Sequence, residues 1–323
     1  RSSRCKPGSS MDKERRIFVA GHRGLVGSAI VRALESRGHA NILTPDRSRL
    51  DLTSAEQTAR FFDDERPEYV FLAAARVGGI YANDTFPADF IRDNLHIQCN
   101  VIEGCHRVGS KKLLFLGSTC IYPKHAPQPL KEEYLLTGPL EPTNDAYAVA
   151  KIAGITMVNA YRRQYGFNGI SVMPTNLYGP NDNFSLNTSH VLPALIRRFH
   201  EAKESGAPEV VVWGSGAPLR EFLYVDDLAD ACLFLMERYD KPEIVNIGVG
   251  ADISIRDLAA MVKSVVGYSG ELVFDTSKPD GTPRKLVDVS RLTALGWRAK
   301  TELRAGLEAT YRWYLENQGA VRA

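Results

Sequence analysis

Three glycines at a spacing of three, in Gly21-His22-Arg23-Gly24-Leu25-Val26-Gly27, stand between a strand-like run and a helix-like run. No other feature of the chain constrains its fold as much. Arg16-Ile17-Phe18-Val19-Ala20 is short and mostly apolar, as a parallel strand covered on both faces must be. Over residues 25–37 apolar side chains recur at 25, 26, 29, 30, 33 and 34, a helical stripe that Gly38 closes. Glycines at such a joint let the backbone turn tightly and approach a pyrophosphate, whose charge the helix N-terminus stabilises. Three glycines alone can mark an ordinary turn. A strand before them and a helix after them make this a dinucleotide site.

The alternation continues along the chain. Residues 41–45 read as a second strand, and Thr53-Ser54-Ala55-Glu56 as a capping box opening a helix that runs to about Glu65, before Pro67. Residues 69–74, 112–118 and 170–175 read as further buried strands. This pattern predicts an α/β fold with a doubly wound parallel sheet of the Rossmann type. Beyond residue 178 the rhythm changes at the polar turn Gly179-Pro180-Asn181-Asp182-Asn183. Residues 209–213 form a strand outside the first pattern, and 244–248 form one more strand of the first sheet. The expected organisation is a cofactor-binding domain over 11–179 and 226–249, with a smaller, discontinuous α/β substrate domain over 180–225 and 250–316. Residues 1–10 lack an apolar stretch, so no secretory signal is expected there; they read as an expression leftover or a disordered leader.

Composition narrows the partners. Of 323 residues, 40 are Lys or Arg and 38 are Asp or Glu, a formal charge of +2. No global charge therefore draws nucleic acid or an anionic membrane, although a local basic cleft for small anions is compatible with it. No apolar run is long enough to span a bilayer. Cys5, Cys99, Cys105, Cys120 and Cys232 are odd in number, scattered and without metal-ligand spacing. They point to free thiols in a reducing cytoplasm and to no metal site.

The end of the second strand bears on the cofactor. An acidic residue there would bind the adenosine ribose diol and select NAD. The segment reads Thr44-Pro45-Asp46-Arg47-Ser48-Arg49, and Arg23 lies in the glycine turn nearby. Arg47 and Arg23 together suit a doubly charged 2′-phosphate, so NADP (as NADPH) is the expected cofactor. The other reading leaves Arg47 and Arg49 as surface charges and lets Asp46 select NAD.

Tyr147 and Lys151, in Asn144-Asp145-Ala146-Tyr147-Ala148-Val149-Ala150-Lys151, share one face of a helix. On most helices such a pair is only solvated. Behind a dinucleotide turn, the ammonium can favour the phenolate and make the phenol a proton donor near neutral pH. Ser118 follows the fourth strand at its carboxyl end, where doubly wound sheets place their sites. Ser118 and Tyr147 can bond a substrate carbonyl oxygen, Tyr147 can supply the proton, and Lys151 can hold the cofactor ribose. These three residues make a carbonyl-reduction constellation. A capping serine beside a surface Tyr/Lys pair is the plainer reading of the same residues.

With these stretches go Phe115-Leu116-Gly117-Ser118-Thr119-Cys120-Ile121-Tyr122-Pro123, Asn176-Leu177-Tyr178-Gly179-Pro180, Arg220-Glu221-Phe222-Leu223-Tyr224-Val225-Asp226-Asp227 and Lys278-Pro279-Asp280-Gly281-Thr282-Pro283-Arg284-Lys285. Together they resemble the extended short-chain dehydrogenase/reductases acting on nucleotide sugars, over residues 16–317. Within that family the likeness is to enzymes that epimerise GDP-4-keto-6-deoxy-D-mannose at carbons 3 and 5 and then reduce carbon 4. The resemblance implies a GDP-sugar substrate and a homodimer. Thr119 stands where Ser is common, and a hydroxyl survives. A dehydratase would carry Thr-Asp-Glu where Ser118-Thr119-Cys120 stand.

The resemblance makes Cys120 the base and His190 the acid of the epimerisations. A thiol can serve if nearby positive charge lowers its pKa. His190 is expected to open a helix over 190–201, whose N-terminus makes an imidazolium a stronger acid. Apart from the resemblance, a free Cys is often a small core hydrophobe and a lone His a packing residue. The resemblance also gives the cofactor Gly21 to Gly27, Arg47, Asp51, Leu52, Leu116, Gly117, Lys151, Pro174, Asn176 and Leu177. On the substrate side it implies Arg220 as the pyrophosphate arginine, with Arg198, Trp213 and Asp280. Arg197 could replace Arg198, and Trp213 could be a core residue at the domain seam. Two alternatives stay open. Another nucleotide-sugar 4-epimerase or 4-reductase would have no use for Cys120. A non-catalytic NADPH-binding sensor would need neither Tyr147 nor Lys151.

Overall fold

The structure, a computed structural model, describes residues 11–186, 188–278 and 280–319. The leader reading of residues 1–10, Cys5 included, lies outside them. β1 (Ile17–Ala20) runs through the glycine turn into α1 (Leu25–Ser36). Then follow β2 (Ile42–Leu43), α2 (Ala55–Glu65), β3 (Tyr69–Leu72), α3 (Ile80–Thr85), α4 (Pro87–Val108), β4 (Lys112–Leu116), α5 (Asp145–Tyr165) and β5 (Gly169–Pro174). The chain continues through β6 (Asn176–Tyr178), α6 (Val191–Ser205), β7 (Glu209–Trp213), β8 (Leu219–Arg220), β9 (Phe222–Tyr224), α7 (Val225–Arg238) and β10 (Val245–Ile247). Last come β11 (Ile253–Ser254), α8 (Ile255–Val266), β12 (Glu271–Asp275), β13 (Arg284–Lys285), α9 (Ser290–Ala294) and α10 (Leu303–Glu316).

The central sheet has six parallel strands in the order β10-β5-β4-β3-β1-β2. Its inner strands are buried on both faces, which is why they read as unbroken apolar runs. α1 and α7 cover one face through Ile30, Leu34, Leu228 and Leu235. α2, α4 and α5 cover the other through Phe62, Ile102 and Ile155. The strand order reverses between β1 and β3, so the crevice beyond their carboxyl ends is the expected ligand position. Gly154 seats α5 on β4, since a Cβ there would come within 2.4 Å of the Phe115 ring.

Two local expectations shift. The second strand is only Ile42–Leu43, an edge strand that stops before Pro45. The cap of α2 is Ser54, whose Oγ accepts from Gln57 N at 3.3 Å. Thr53, the expected cap, instead donates its hydroxyl to Asp51 Oδ1 at 2.8 Å.

A separate core gathers Tyr178, Phe184, Phe199, Leu258 and Tyr311 from β6, α6, α8 and α10 and the loop after β6. Beside it, β7 pairs with β12, and β8 lies between β11 and β13. Leu292 and Trp297 fall inside the expected 250–316 span but pack in the core of the central sheet. The chain thus crosses back to that sheet once more than the expected boundaries allow.

Candidate active site

The glycine turn is built by close backbone approach. Gly21 has φ +86°, and a Cβ on it would stand 2.8 Å from the backbone nitrogen of Ala74, just after β3. A Cβ on Gly27 would stand 2.0 Å from Gly21 O. Gly24 N donates to Gly21 O at 3.0 Å, and no side chain caps α1. The first amides of α1 therefore remain for an anion at the helix N-terminus.

A cavity of about 890 Å³ runs from this turn to Tyr147. Lining it are the whole turn from Gly21 to Gly27 with Arg47, Asp51, Leu52, Leu116, Gly117, Pro174, Asn176 and Leu177. Asp46 does not line it. The Arg23 guanidinium holds the Asp46 carboxylate at 2.7 Å, and His22 Nε2 lies 3.5 Å from the same oxygen. The carboxylate that could bind a ribose diol is thus neutralised, while Arg47 stays on the cavity wall. The turn, the free helix amides and Arg47 fit a dinucleotide carrying a 2′-phosphate.

At the other end, Ser118, Cys120, Tyr147, Lys151 and His190 all line the same cavity. Ser118 caps the short 3-10 turn Thr119–Ile121, its Oγ accepting from Cys120 N at 3.3 Å. α5 presents Tyr147 and Lys151. Lys151 is 4% exposed, and its Nζ donates to Leu116 O at 2.7 Å. Burial pushes Lys151 down to about 8. Burial, with the charge of Cys120 behind it, pushes the Tyr147 phenol up. The expectation that Lys151 lowers the phenol is therefore corrected, because the two causes acting on the phenol, burial and then Cys120, both raise it. Tyr147 keeps its proton at neutral pH, as a group that donates one must.

The Cys120 thiol is also pushed up rather than down. Burial leads, and the Ser118 hydrogen bond, Lys285 and Lys151 pull against it in that order. The expected positive charges are present; desolvation exceeds them. His190 is the N-cap of α6 rather than its first helical residue, and α6 extends to Ser205, past the expected end at 201. It lines the cavity, and its imidazole is lowered first by burial there and then by Lys285.

Lys285 is the residue that pattern reading missed. It lines the cavity, and its charge acts on both Cys120 and His190. It ends the Lys278–Lys285 motif, but a two-residue strand offers no periodicity to single it out. Glu221 is a second omission. It is fully buried and accepts from Val249 N at 2.6 Å, Gly250 N at 2.7 Å and Val287 N at 3.0 Å, tying the joint between β8 and β9 to the loops after β10 and β13.

Arg198, Trp213, Arg220 and Asp280 do not line the cavity. Arg198 Nη1 lies 3.5 Å from Val211 O, and Asp280 accepts from Ser215 N at 2.8 Å and Ser215 Oγ at 2.6 Å. Arg197 pairs with Glu201 at 2.7 Å. Trp213 is 64% exposed, not a seam core residue, and Lys278 Nζ sits 5.5 Å from its ring centroid. Arg220 approaches the site through β8, where it is the register partner of Lys285. Cys99 is exposed, Cys105 and Cys232 are buried, and these thiols are free, as is that of Cys120. Among the described residues no cluster of three or more His, Cys, Asp or Glu could hold a metal.

Residues 17–248 match the NAD dependent epimerase/dehydratase family. Over 309 residues the chain is 63% identical to GDP-L-fucose synthase 1 of Arabidopsis thaliana, covering 96% of each chain. It is 55% identical over 318 residues to the GDP-L-fucose synthase of Escherichia coli (strain K12), covering 96% of this chain and 99% of that one. Among solved structures it resembles a GDP-L-fucose synthetase from Naegleria fowleri bound to NADP, with a TM-score of 0.92 at 30% identity over 99% of both chains.

Proposed function

This chain belongs to the NAD dependent epimerase/dehydratase family, and we propose that it converts GDP-4-keto-6-deoxy-D-mannose to GDP-L-fucose with NADPH. The reaction is epimerisation at carbons 3 and 5, then reduction of the ketone at carbon 4. One observation carries the reading: Ser118, Cys120, Tyr147, Lys151 and His190 share a single cavity with the glycine turn.

The Ser118 hydroxyl and the Tyr147 phenol grip the carbon 4 oxygen, so one oxyanion site serves every step. With that oxygen held, a proton leaves carbon 3 or carbon 5 and an enolate forms. Cys120 takes the proton and His190 returns one on the opposite face. The shifts at the two groups favour the neutral thiol and neutral imidazole. The working form carries the proton on His190, and the Lys285 ammonium stabilises the thiolate. Bound NADPH would supply the hydride for carbon 4. Tyr147 then protonates the oxygen, and Lys151 holds the cofactor ribose beside it. The glycine turn and α1 amides would hold the cofactor's pyrophosphate, and Arg47 and Arg23 its 2′-phosphate.

Lys285 and Arg220 form a cation pair for the substrate diphosphate. Arg198, Trp213 and Asp280 line its outward course toward the base. The cofactor part comprises 11–179 and 226–249 with the segment around Leu292; the remainder holds the substrate. Free thiols support a cytoplasmic enzyme, and no helix of the described residues is long and apolar enough to cross a membrane. The enzyme pairs as a homodimer through the outer face of α5, where Val149 and Tyr165 are exposed; sedimentation of the purified protein tests that state.

The chemistry is tested by incubating the protein with GDP-4-keto-6-deoxy-D-mannose and NADPH. One nicotinamide oxidised per GDP-L-fucose formed supports the reading. No oxidation, or a product that keeps its configuration at carbons 3 and 5, overturns it.

A further inference from the structure

Asn144 stands where a helix cap belongs and does not cap. It precedes α5 with φ −143° and ψ 20°, and its side chain makes no bond to the helix amides. Asparagine favours this position because its carbonyl oxygen normally accepts from such an amide. Here Oδ1 is buried without a hydrogen-bond partner among the described residues, and the residue lines the cavity.

The surroundings hold it in place. Asn144 N donates to Glu141 O at 3.1 Å, and Glu141 pairs with Lys124 at 3.0 Å. The turn Pro142–Asn144 packs on α3. Asn83 of α3 donates from Nδ2 to Gly78 O at 2.7 Å and Gly79 O at 3.0 Å, leaving its own buried Oδ1 without a partner among the described residues. Gly79 N donates in turn to Thr188 O at 3.1 Å, two residues before His190. One wall therefore joins the start of the Tyr147 helix to the His190 loop. It carries two amides with unused hydrogen-bonding capacity, and such capacity marks a place for a polar ligand group.

We propose that Asn144 is a specificity-determining residue that hydrogen-bonds the carbon 3 hydroxyl of the 4-keto sugar and so separates 3-hydroxy from 3-deoxy substrates. The assignment rests on the reading that the carbon 4 oxygen sits at Ser118 and Tyr147. Asn144 lies three residues before Tyr147, on the same side of the first turn of α5. Of the two carbons flanking carbon 4, carbon 5 bears the carbon 6 methyl group and the ring oxygen, whereas carbon 3 bears a hydroxyl. An amide beside Tyr147 meets a hydrogen-bonding hydroxyl only at carbon 3. It can donate or accept, so either orientation of that hydroxyl is served.

The test compares kcat/KM for GDP-4-keto-6-deoxy-D-mannose and for GDP-4-keto-3,6-dideoxy-D-mannose, which lacks the hydroxyl. Wild type is expected to prefer the hydroxylated sugar by roughly 10- to 100-fold. Asn144→Ala should lose about that factor on the hydroxylated sugar and leave the deoxy sugar within about twofold, so the preference collapses. Asn144→Gly, a tolerated cap, should behave alike, with NADPH affinity unchanged in both variants. A structural defect would lower both sugars together, and that result, or an unchanged preference, overturns the assignment to Asn144 alone. If wild type turns over neither sugar, the functional reading itself falls, and this assignment with it.

Discussion

Arg220 and Lys285 are register partners on the adjacent parallel strands β8 and β13, and of the two only Lys285 reaches the cavity wall. Burial lowers Lys285, and the Arg220 charge lowers it further. Lys285 sits on the wall of a site whose two proton-transfer groups both feel it. A lysine lowered by burial and by a neighbouring guanidinium is suited to an anion that relieves it, as a diphosphate does.

Replacing Lys285 with Met should move the pH profile of epimerisation upward. Lys285 holds down both the Cys120 thiol and the His190 imidazole, so its loss raises both. The working form needs thiolate with imidazolium, and the thiol is the weaker acid of the two. Its population is then bounded below by the imidazole pKa and above by the thiol pKa, so both limbs shift to higher pH. Solvent-deuterium uptake measured across pH checks this; a profile that stays in place contradicts it.

Tyr147→Phe should cut carbon 4 reduction by about 10²- to 10⁴-fold, the usual worth of a positioned proton donor. Ser118 remains to hold the oxygen, so substrate binding should change little. Single-turnover oxidation of NADPH, set beside the substrate dissociation constant, separates the two effects.

Arg47→Ala should weaken NADPH about 10- to 100-fold, because a charge-assisted bond to the 2′-phosphate is lost. NADH, which lacks that phosphate, should bind as before, since Asp46 stays engaged by Arg23. Equal losses for both cofactors would return the site to the NAD reading.

Lys151→Met should stabilise the protein near neutral pH while abolishing turnover. Lys151 titrates at about 8 in the fold against 10.5 as a free group, so the folded chain binds fewer protons across that window. Stability owed to this group therefore rises as pH rises from about 8 to 10.5, and below that range the buried ammonium is a full cost. The variant should exceed wild type by on the order of 1–4 kcal/mol at neutral pH, with the gap closing toward the upper end. Denaturant unfolding at both ends of the range checks the sign.

Much of this is legible from residues alone, for identifiable reasons. The glycine turn, the buried strands and Tyr147 with Lys151 are local patterns with fixed periods, and β1, β3, β4 and β5 appear close to where those periods put them. Cys120 and His190 emerge only through resemblance, because nothing in a lone thiol or imidazole announces chemistry. Lys285 escapes because β8 and β13 are two residues each and carry no pattern. The direction at Cys120 reverses because it compares burial with nearby charge, and burial is a tertiary quantity. Ser54 displaces Thr53 as cap because Asp51 already engages the Thr53 hydroxyl, a choice between neighbours that the pattern leaves even.

Cys120→Ala against wild type, each given GDP-4-keto-6-deoxy-D-mannose in deuterated water, tests the shared-cavity chemistry most directly. Wild type should place solvent deuterium at carbons 3 and 5 of the sugar, and the variant should place almost none while still binding NADPH. A variant that exchanges both positions at the wild-type rate would contradict the account, because the proton would then be leaving through some group other than the thiol beside Ser118.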